Sequence, residues 1–206
     1  MGHIARLRCS VDALNEYMGA TASAHERLVE QLRTHALVLG RVTLTSGAQA
    51  EYYVDAKRAI LLPDGFAALS ELVAAQVTEW GATAVGGLTM GADPVACAAL
   101  AGGARAKAFF VRKDAKTHGL QRRIEGPYLD AEDRCVVVED VVTTGGSTLT
   151  AIEALKEAGH RICGVISVLD RLAGGGAAIE AAAGAPYVAL STIDEIYPDR
   201  PDRRVA

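Results

Sequence analysis

The chain has 206 residues, 50% of them hydrophobic and 22% charged, enough for one domain with a sizeable core. Its formal net charge of −4 and pI of about 5.7 argue against a general nucleic-acid binder. No apolar run is long enough to span a bilayer, and the start, Met1-Gly2-His3-Ile4-Ala5-Arg6, lacks the apolar core of a signal peptide, so the chain reads as cytoplasmic with no membrane partner.

Residues 1–20 carry little pattern and are expected to be loosely ordered. Ser23 with Glu26 is a capping-box signature, opening a helix through about residue 35 with Leu28 and Leu32 inward. Val42-Thr43-Leu44 and Tyr52-Tyr53-Val54 read as short strands flanking residues 45–51. A hairpin here, outside any strand–helix rhythm, predicts a small N-terminal hood over the main sheet. Phe66, Leu69, Val73, Val77 and Trp80 recur at helical spacing from Pro63, with Gly81 as the C-terminal stop. A buried strand over 84–88, a small-residue helix over 92–100 and a strand over 108–111 follow. The polar stretch after Val111 is too long for an ordinary connection and predicts a functional loop.

Val136-Val137-Val138 reads as a buried central strand, because β-branched side chains suit a pleated surface covered on both faces. A helix with Leu149, Ile152 and Leu155 on one face runs to Gly159, then come a strand over 162–169, a helix over 177–183 and a strand over 187–190. This alternation indicates an α/β fold with a doubly wound, mostly parallel sheet flanked by helices and right-handed crossovers. The whole chain reads as a single domain, with the hood at about 21–60 and the core at about 61–195, and residues 198–206 loosely ordered. Cys9, Cys97, Cys135 and Cys163 form no Cys-x-x-Cys pair, and three lie in or beside apolar segments, so reduced, buried thiols are expected rather than zinc ligands.

Chemistry concentrates in Val136-Val137-Val138-Glu139-Asp140-Val141-Val142-Thr143-Thr144-Gly145-Gly146-Ser147-Thr148. The two acids fall where the strand should end, at the sheet edge where open α/β folds bind ligands. A small-residue loop opening a helix offers unpaired N–H groups and a positive dipole end to a phosphate. The acids suit hydroxyls, so the ligand expected is a ribose carrying a 5′-phosphate. The bland reading is an ordinary βα turn in which Glu139 and Asp140 cap the helix. The spacing is not G-x-G-x-x-G and no Lys follows the glycines, which leaves dinucleotide and Walker-type readings weak.

Residues 112–123 hold five bases (Arg112, Lys113, Lys116, Arg122, Arg123) and one acid (Asp114), a local charge of +4 in a chain of −4. A solvated charged loop is one reading. A loop of Arg, Lys and His118 that closes over a highly charged leaving group such as pyrophosphate is the other. His25, His35 and His160 read as structural or solvated; Asp93 and Glu125 fit either the site's rim or the ordinary surface, and Tyr128 either closes the loop or packs beneath it.

The thirteen residues from Val136 to Thr148 resemble the phosphoribosyl-diphosphate (PRPP) motif of type I phosphoribosyltransferases. Arg112-Lys113-x-x-Lys116-x-His118-Gly119 is similar to the mobile catalytic loop of orotate phosphoribosyltransferases. Thr45-Ser46-Gly47 with Tyr52-Tyr53, Gly87-Leu88-Thr89-Met90-Gly91 and Asp170-Arg171 resemble further segments of that family, so the likeness runs from about residue 28 to residue 195. It departs where many members carry Lys, at Thr45 and Met90, with Lys57 and Arg58 as nearby cations that either compensate or are plain surface residues. The acid pair is Glu-Asp rather than Asp-Asp.

The resemblance implies Mg²⁺-dependent transfer of ribose 5-phosphate from PRPP to N1 of orotate, in pyrimidine synthesis. It places Lys116, Lys113, Arg112 and His118 on the leaving pyrophosphate, with Thr89, Met90 and Gly91 forming the loop that binds it. Glu139 and Asp140 would hold the ribose hydroxyls, with Asp140 also balancing the developing cation, and Thr143, Thr144, Gly145, Gly146 and Ser147 would hold the 5′-phosphate. Arg171, Thr143, Tyr52 and Tyr53 would border orotate. No protein ligand to the metal is implied, and a homodimer sharing the loop across subunits is. A phosphoribosyltransferase for another base, or a PRPP-sensing regulator of the same fold that binds nucleic acid, are the alternatives.

Overall fold

The computed structural model describes residues 23–43, 49–113 and 123–203. Helix α1 (23–35) buries Leu28 and Leu32 completely, the face their spacing predicts. Strand β1 (Leu37–Thr43) then pairs antiparallel with β2 (Gln49–Val54), Leu37 facing Val54, to make a separate two-stranded sheet. β1 starts earlier than expected because Leu37, Val38 and Leu39 find partners in Val54, Tyr53 and Tyr52 across an irregularity that ends at Val42. The one-turn helix α2 (Lys57–Ile60) was not anticipated; a single turn is too short to show a period. Its Ala59 and Ile60 are fully buried. Helix α3 (Pro63–Glu79) begins on a proline whose fixed φ suits a first helical position, and Gly81 follows its C-cap with φ +58°.

The main sheet is built from β3 (Ala84–Leu88), β4 (Lys107–Val111), β5 (Ile124–Glu125), β6 (Arg134–Val142), β7 (Arg161–Asp170) and β8 (Tyr187–Ala189). Between them run α4 (Ala92–Ala101), α5 (Gly146–Glu157) and α6 (Gly175–Ala183), and α7 (Ile193–Ile196) follows β8. Strand order is β5-β4-β3-β6-β7-β8, parallel throughout except for the two-residue β5. The doubly wound α/β architecture expected from the alternation is the one observed. The order reverses between β3 and β6, which opens a crevice at their carboxyl ends.

Side chains of β6 alternate between two cores. Val136 and Val138 enter the layer that holds α1, α3 and α4, with Leu28, Leu69 and Val95. Cys135 and Val137 enter the opposite layer against α5 and α6, with Ile152, Leu155 and Ile179. Burying each valine contributes about 1.5–3 kcal/mol, which is why the triple-valine segment sits at the sheet's centre. Two expectations need correction. The strand does not end before the acids; it runs on to Val142, because Val141 and Val142 pair with Leu169 and Asp170 of β7. Cys97 is exposed rather than buried, since α4 turns Val95, Ala96, Ala98 and Ala99 inward and leaves position 97 outside. The Cys135 thiol is buried, and burial pushes its pKa up to about 12. Cys9 lies outside the described residues. Among the described residues no group of three or more His, Cys, Asp or Glu is placed to hold a metal, and no helix is long and apolar enough to cross a membrane.

Candidate active site

On its β3 side, β6 pairs only as far as Val137, opposite Gly86, while on its β7 side pairing continues to Val142. Glu139 and Asp140 therefore lie inside a strand yet beyond the last β3 pair, at the mouth of the crevice. Both are buried, 4% and 8% exposed. The β3–α4 connection closes directly over them. A Cβ on Gly91 would sit 2.5 Å from Asp140 Oδ1 and 2.6 Å from Glu139 Oε1, so only glycine allows this approach. Next to it the Thr89–Met90 peptide is cis, and Thr89 Oγ1 donates to Asp93 Oδ2 at 2.6 Å.

Each acid is held from a different side. Thr148 of α5 donates to Glu139 Oε2 at 3.3 Å, and the Val141 amide donates to Asp140 Oδ1 at 2.8 Å. Lys57 Nζ, arriving from α2, donates to Asp140 Oδ2 at 2.7 Å. Burial, and then the Asp140 charge beside it, push the Glu139 carboxyl up to about 8. A proton on one member of the pair relieves their repulsion until a ligand supplies hydroxyls or positive charge.

Beyond the acids, Thr143, Thr144, Gly145, Gly146 and Ser147 line a cleft of about 230 Å³ together with Glu139. Gly145 takes the left-handed conformation (φ +84°) at the N-cap of α5, which completes the short turn from strand to helix. Gly175, at the start of α6, braces this turn so closely that a Cβ there would lie 2.6 Å from the Thr143 carbonyl oxygen. The first-turn N–H groups of α5 face this cleft's end and suit a phosphate.

The third part lies at the end of β7. The Arg171 amide donates to the Val142 carbonyl at 2.9 Å, tying it to the acid-bearing strand. Its guanidinium stands 4.9 Å over the Tyr52 ring and donates to the Tyr52 hydroxyl at 2.9 Å. That hydroxyl in turn donates to Asp202, with both carboxylate oxygens at 2.9 Å, and Asp202 Oδ2 is 3.7 Å from Arg171. Burial raises the Tyr52 pKa; the Arg171 bond opposes that rise. Tyr197 meets the Tyr52 ring edge-on at 5.3 Å. Tyr53 points the other way and is 40% exposed. A cavity of about 610 Å³ opens beside this cluster, lined by Arg171, Leu172, Gly174, Arg200 and Asp202 among others.

The structure thus brings Glu139, Asp140 and Gly91 together, sets the 143–147 loop next to them, and joins Tyr52 to Arg171. Arg112 and Lys113 stand at the exit of β4, where the Arg112 amide donates to the Arg123 carbonyl at 2.8 Å and Arg112 Nη1 lies 3.7 Å from Glu125 Oε1. Thr89 and Met90 are exposed at the rim, Met90 by 73%. Lys116, His118 and Thr45 lie outside the described residues. Lys57, left open between site and surface, belongs to the acid pair; Asp55-x-Lys57 just after a strand was its signal. Asp202 and Tyr197 carried no signal, because nothing local in a C-terminal segment marks a contact with residue 52.

A doubly wound sheet with a buried acid pair, a phosphate-type loop at a helix N-terminus and an added hood defines the type I phosphoribosyltransferase fold. No family model matches the chain. It is 48% identical over 173 residues to the orotate phosphoribosyltransferase of Streptomyces avermitilis, covering 82% of this chain and 94% of the relative. Among solved structures, Mycobacterium tuberculosis orotate phosphoribosyltransferase in complex with Fe(III) dicitrate superposes with a TM-score of 0.76 at 43% identity, covering 84% of this chain and 99% of that one. The same mycobacterial enzyme in complex with PRPP gives 0.72 at 38%, covering 84% and 98%. The chain belongs to the orotate phosphoribosyltransferase family, and it is an enzyme of the pentosyltransferase class.

Proposed function

We propose that this enzyme transfers ribose 5-phosphate from PRPP to N1 of orotate, releasing pyrophosphate and orotidine 5′-monophosphate, in the cytoplasm and as a homodimer. The observation that carries the reading is the packing of Gly91 on the buried Glu139–Asp140 pair beside the 143–147 loop. Diphosphate, ribose hydroxyls and 5′-phosphate need those three neighbours in that order along one crevice. The PRPP complex of the mycobacterial relative supports the same donor.

Displacement at the anomeric carbon passes through an oxocarbenium-like state, so no protein nucleophile is required. The protein aligns two substrates and stabilises the charge on the departing diphosphate. Glu139 and Asp140 accept the ribose 2′- and 3′-hydroxyls, and Asp140 faces the developing cation. The α5 N-terminus, with Thr143, Thr144, Gly145, Gly146 and Ser147, holds the 5′-phosphate. The loop of Thr89, Met90 and Gly91 positions the diphosphate, and Arg112, Lys113, Lys116 and His118 stabilise it as it leaves. Arg171 pairs with the orotate carboxylate, while Thr143 and Tyr52 border the ring; Tyr53, expected there as well, faces away from Arg171 because neighbouring residues of a strand point to opposite sides. Mg²⁺ would supply charge neutralisation to the diphosphate held by the loop of Thr89, Met90 and Gly91, taking most of its ligands from substrate and water. Loop closure keeps water from the reactive sugar. The test is orotate absorbance: it should fall when PRPP and Mg²⁺ are added to pure protein. No change with orotate, but turnover of another base, would overturn the assignment.

A further inference from the structure

Asp140 is a buried carboxylate next to a second one, and a cation from outside the main sheet reaches it. Lys57 Nζ stands 2.7 Å from Asp140 Oδ2 and 3.0 Å from Asp55 Oδ1. The lysine is presented from a rigid base. Ala59 and Ile60 behind it are fully buried, and Gly65 packs so closely that a Cβ would lie 2.2 Å from the Ala59 carbonyl oxygen. Asp55 fixes the turn as well, accepting from the Lys57 amide at 3.2 Å. Burial opposes the ammonium's charge, yet its bonds to Asp140 and Asp55 hold its pKa above the ordinary lysine value.

Among the described residues, the other neighbours of the acids offer no such charge. From β7, the residue paired with Glu139 is Ser167; from α5, Thr148 donates a neutral hydroxyl. Along the β3–α4 connection the titratable group is Asp93, an acid already bonded to Thr89. Asp55 adds another negative charge, and Arg58 is exposed. Among the described residues, Lys57 is the one cation bonded to either carboxylate.

We propose that Lys57 is a positioning residue for the transfer: it compensates the Glu139–Asp140 charge and turns Asp140 toward the ribose site, linking the hood side of the molecule to the acid pair. This rests on the reading of that pair as the ribose site. Lys57 does not need to touch substrate in this role. Without it, the two adjacent buried carboxylates lose their compensating cation, the pair as a whole holds protons more tightly, and hydroxyl acceptors are lost at a pH where the intact enzyme still has them.

The experiment is the pH dependence of kcat/KM for PRPP in wild type, Lys57→Met, Lys57→Arg and Asp140→Asn, with circular dichroism checking that each variant is folded. The acidic limb reports ionisations of the free enzyme. In Lys57→Met it should move up by about one to three pH units, the usual effect of losing an adjacent opposite charge, so that activity recovers toward wild type in alkaline buffer. Lys57→Arg, which keeps a cation, should return the limb to its wild-type position. Lys57→Gln replaces the Met variant if that one does not fold. A limb that stays in place, with kcat/KM lowered evenly at every pH, would overturn the proposal and make Lys57 a direct diphosphate contact or a packing residue. Asp140→Asn separates the two levels. If it retains wild-type kcat/KM, the acid pair is not the ribose site and the proposed function loses its support as well. If it is inactive while Lys57→Met leaves the limb unmoved, only the role of Lys57 falls.

Discussion

Glu139 is the residue in which burial and charge conflict most. Its carboxyl is pushed from 4.5 up to about 8, by desolvation first and by Asp140 second. A raised acid pKa means the folded state binds the proton more tightly than the unfolded chain, so stability falls as pH rises from about 4.5 to about 8. Each unit of difference corresponds to about 1.4 kcal/mol. Glu139→Gln removes the titration while keeping the shape. Denaturant unfolding should show the variant gaining on wild type between pH 5 and pH 8; equal slopes at both would mean the carboxyl is not desolvated. Arg171 works by a different principle. Its guanidinium is fixed by Tyr52, and hydrogen bonds to charged groups contribute about 1.5–3 kcal/mol. Arg171→Ala should therefore raise the KM for orotate tenfold or more with a smaller effect on PRPP, measured by initial rates with each substrate varied. An equal rise for both would place Arg171 in general support of the fold.

Strand β3 shows how a short element can define a crevice by having no side chains where it matters. A Cβ on Gly87 would lie 2.1 Å from the Val138 carbonyl oxygen and 2.7 Å from Ala92 Cβ. Both neighbours belong to packed elements, one of them backbone, so neither can yield cheaply. Overpacking of this kind costs about 1–3 kcal/mol, and contact with backbone puts Gly87→Ala at the upper end. The midpoint of urea unfolding should drop accordingly at unchanged m-value. A variant as stable as wild type would show that β3 and β6 can separate without loss. The same element also sets the chemistry, since Gly87, one residue before the end of β3, leaves room for Ala92 and lets α4 begin close to the acids.

Across the molecule, Lys57 and Tyr52 join the N-terminal part of the chain to the end of the main sheet, while Arg112 and Lys113, the start of the basic loop, leave β4 on the same side. A loop of that length reaching into a partner's site is a testable part of the proposed homodimer. Lys116→Ala and Arg171→Ala, assayed at orotate well below the wild-type KM where each is strongly impaired alone, can be unfolded, mixed equally and refolded. If the loop acts in trans, a mixed dimer holds one site with an intact Arg171 and the partner's intact Lys116. Random pairing makes about half the dimers mixed, so roughly a quarter of wild-type activity should return. No recovery, with mixed dimers shown to be present, would sink the shared-loop assignment.

What the amino-acid order determined by itself is what lies within a short window. The Val136–Val138 run, the helical spacing from Pro63 to Trp80 and the turn chemistry from Thr143 to Ser147 each show their local structure in adjacent residues, because periodicity and loop chemistry are local. α2 and β5 escaped notice for the converse reason, being too short to repeat a pattern. The end of β6 was decided by pairing with β7, which valine content at 141 and 142 permits but does not require. Only the tertiary structure decided which distant groups meet. Lys57 reaches Asp140 across 83 positions, and Tyr52 reaches Asp202 across 150. Such contacts follow from how the hood and the C-terminal segment dock on the sheet, where burial of Leu28, Ile60 and Ile193 drives the packing and the polar partners are brought along with it.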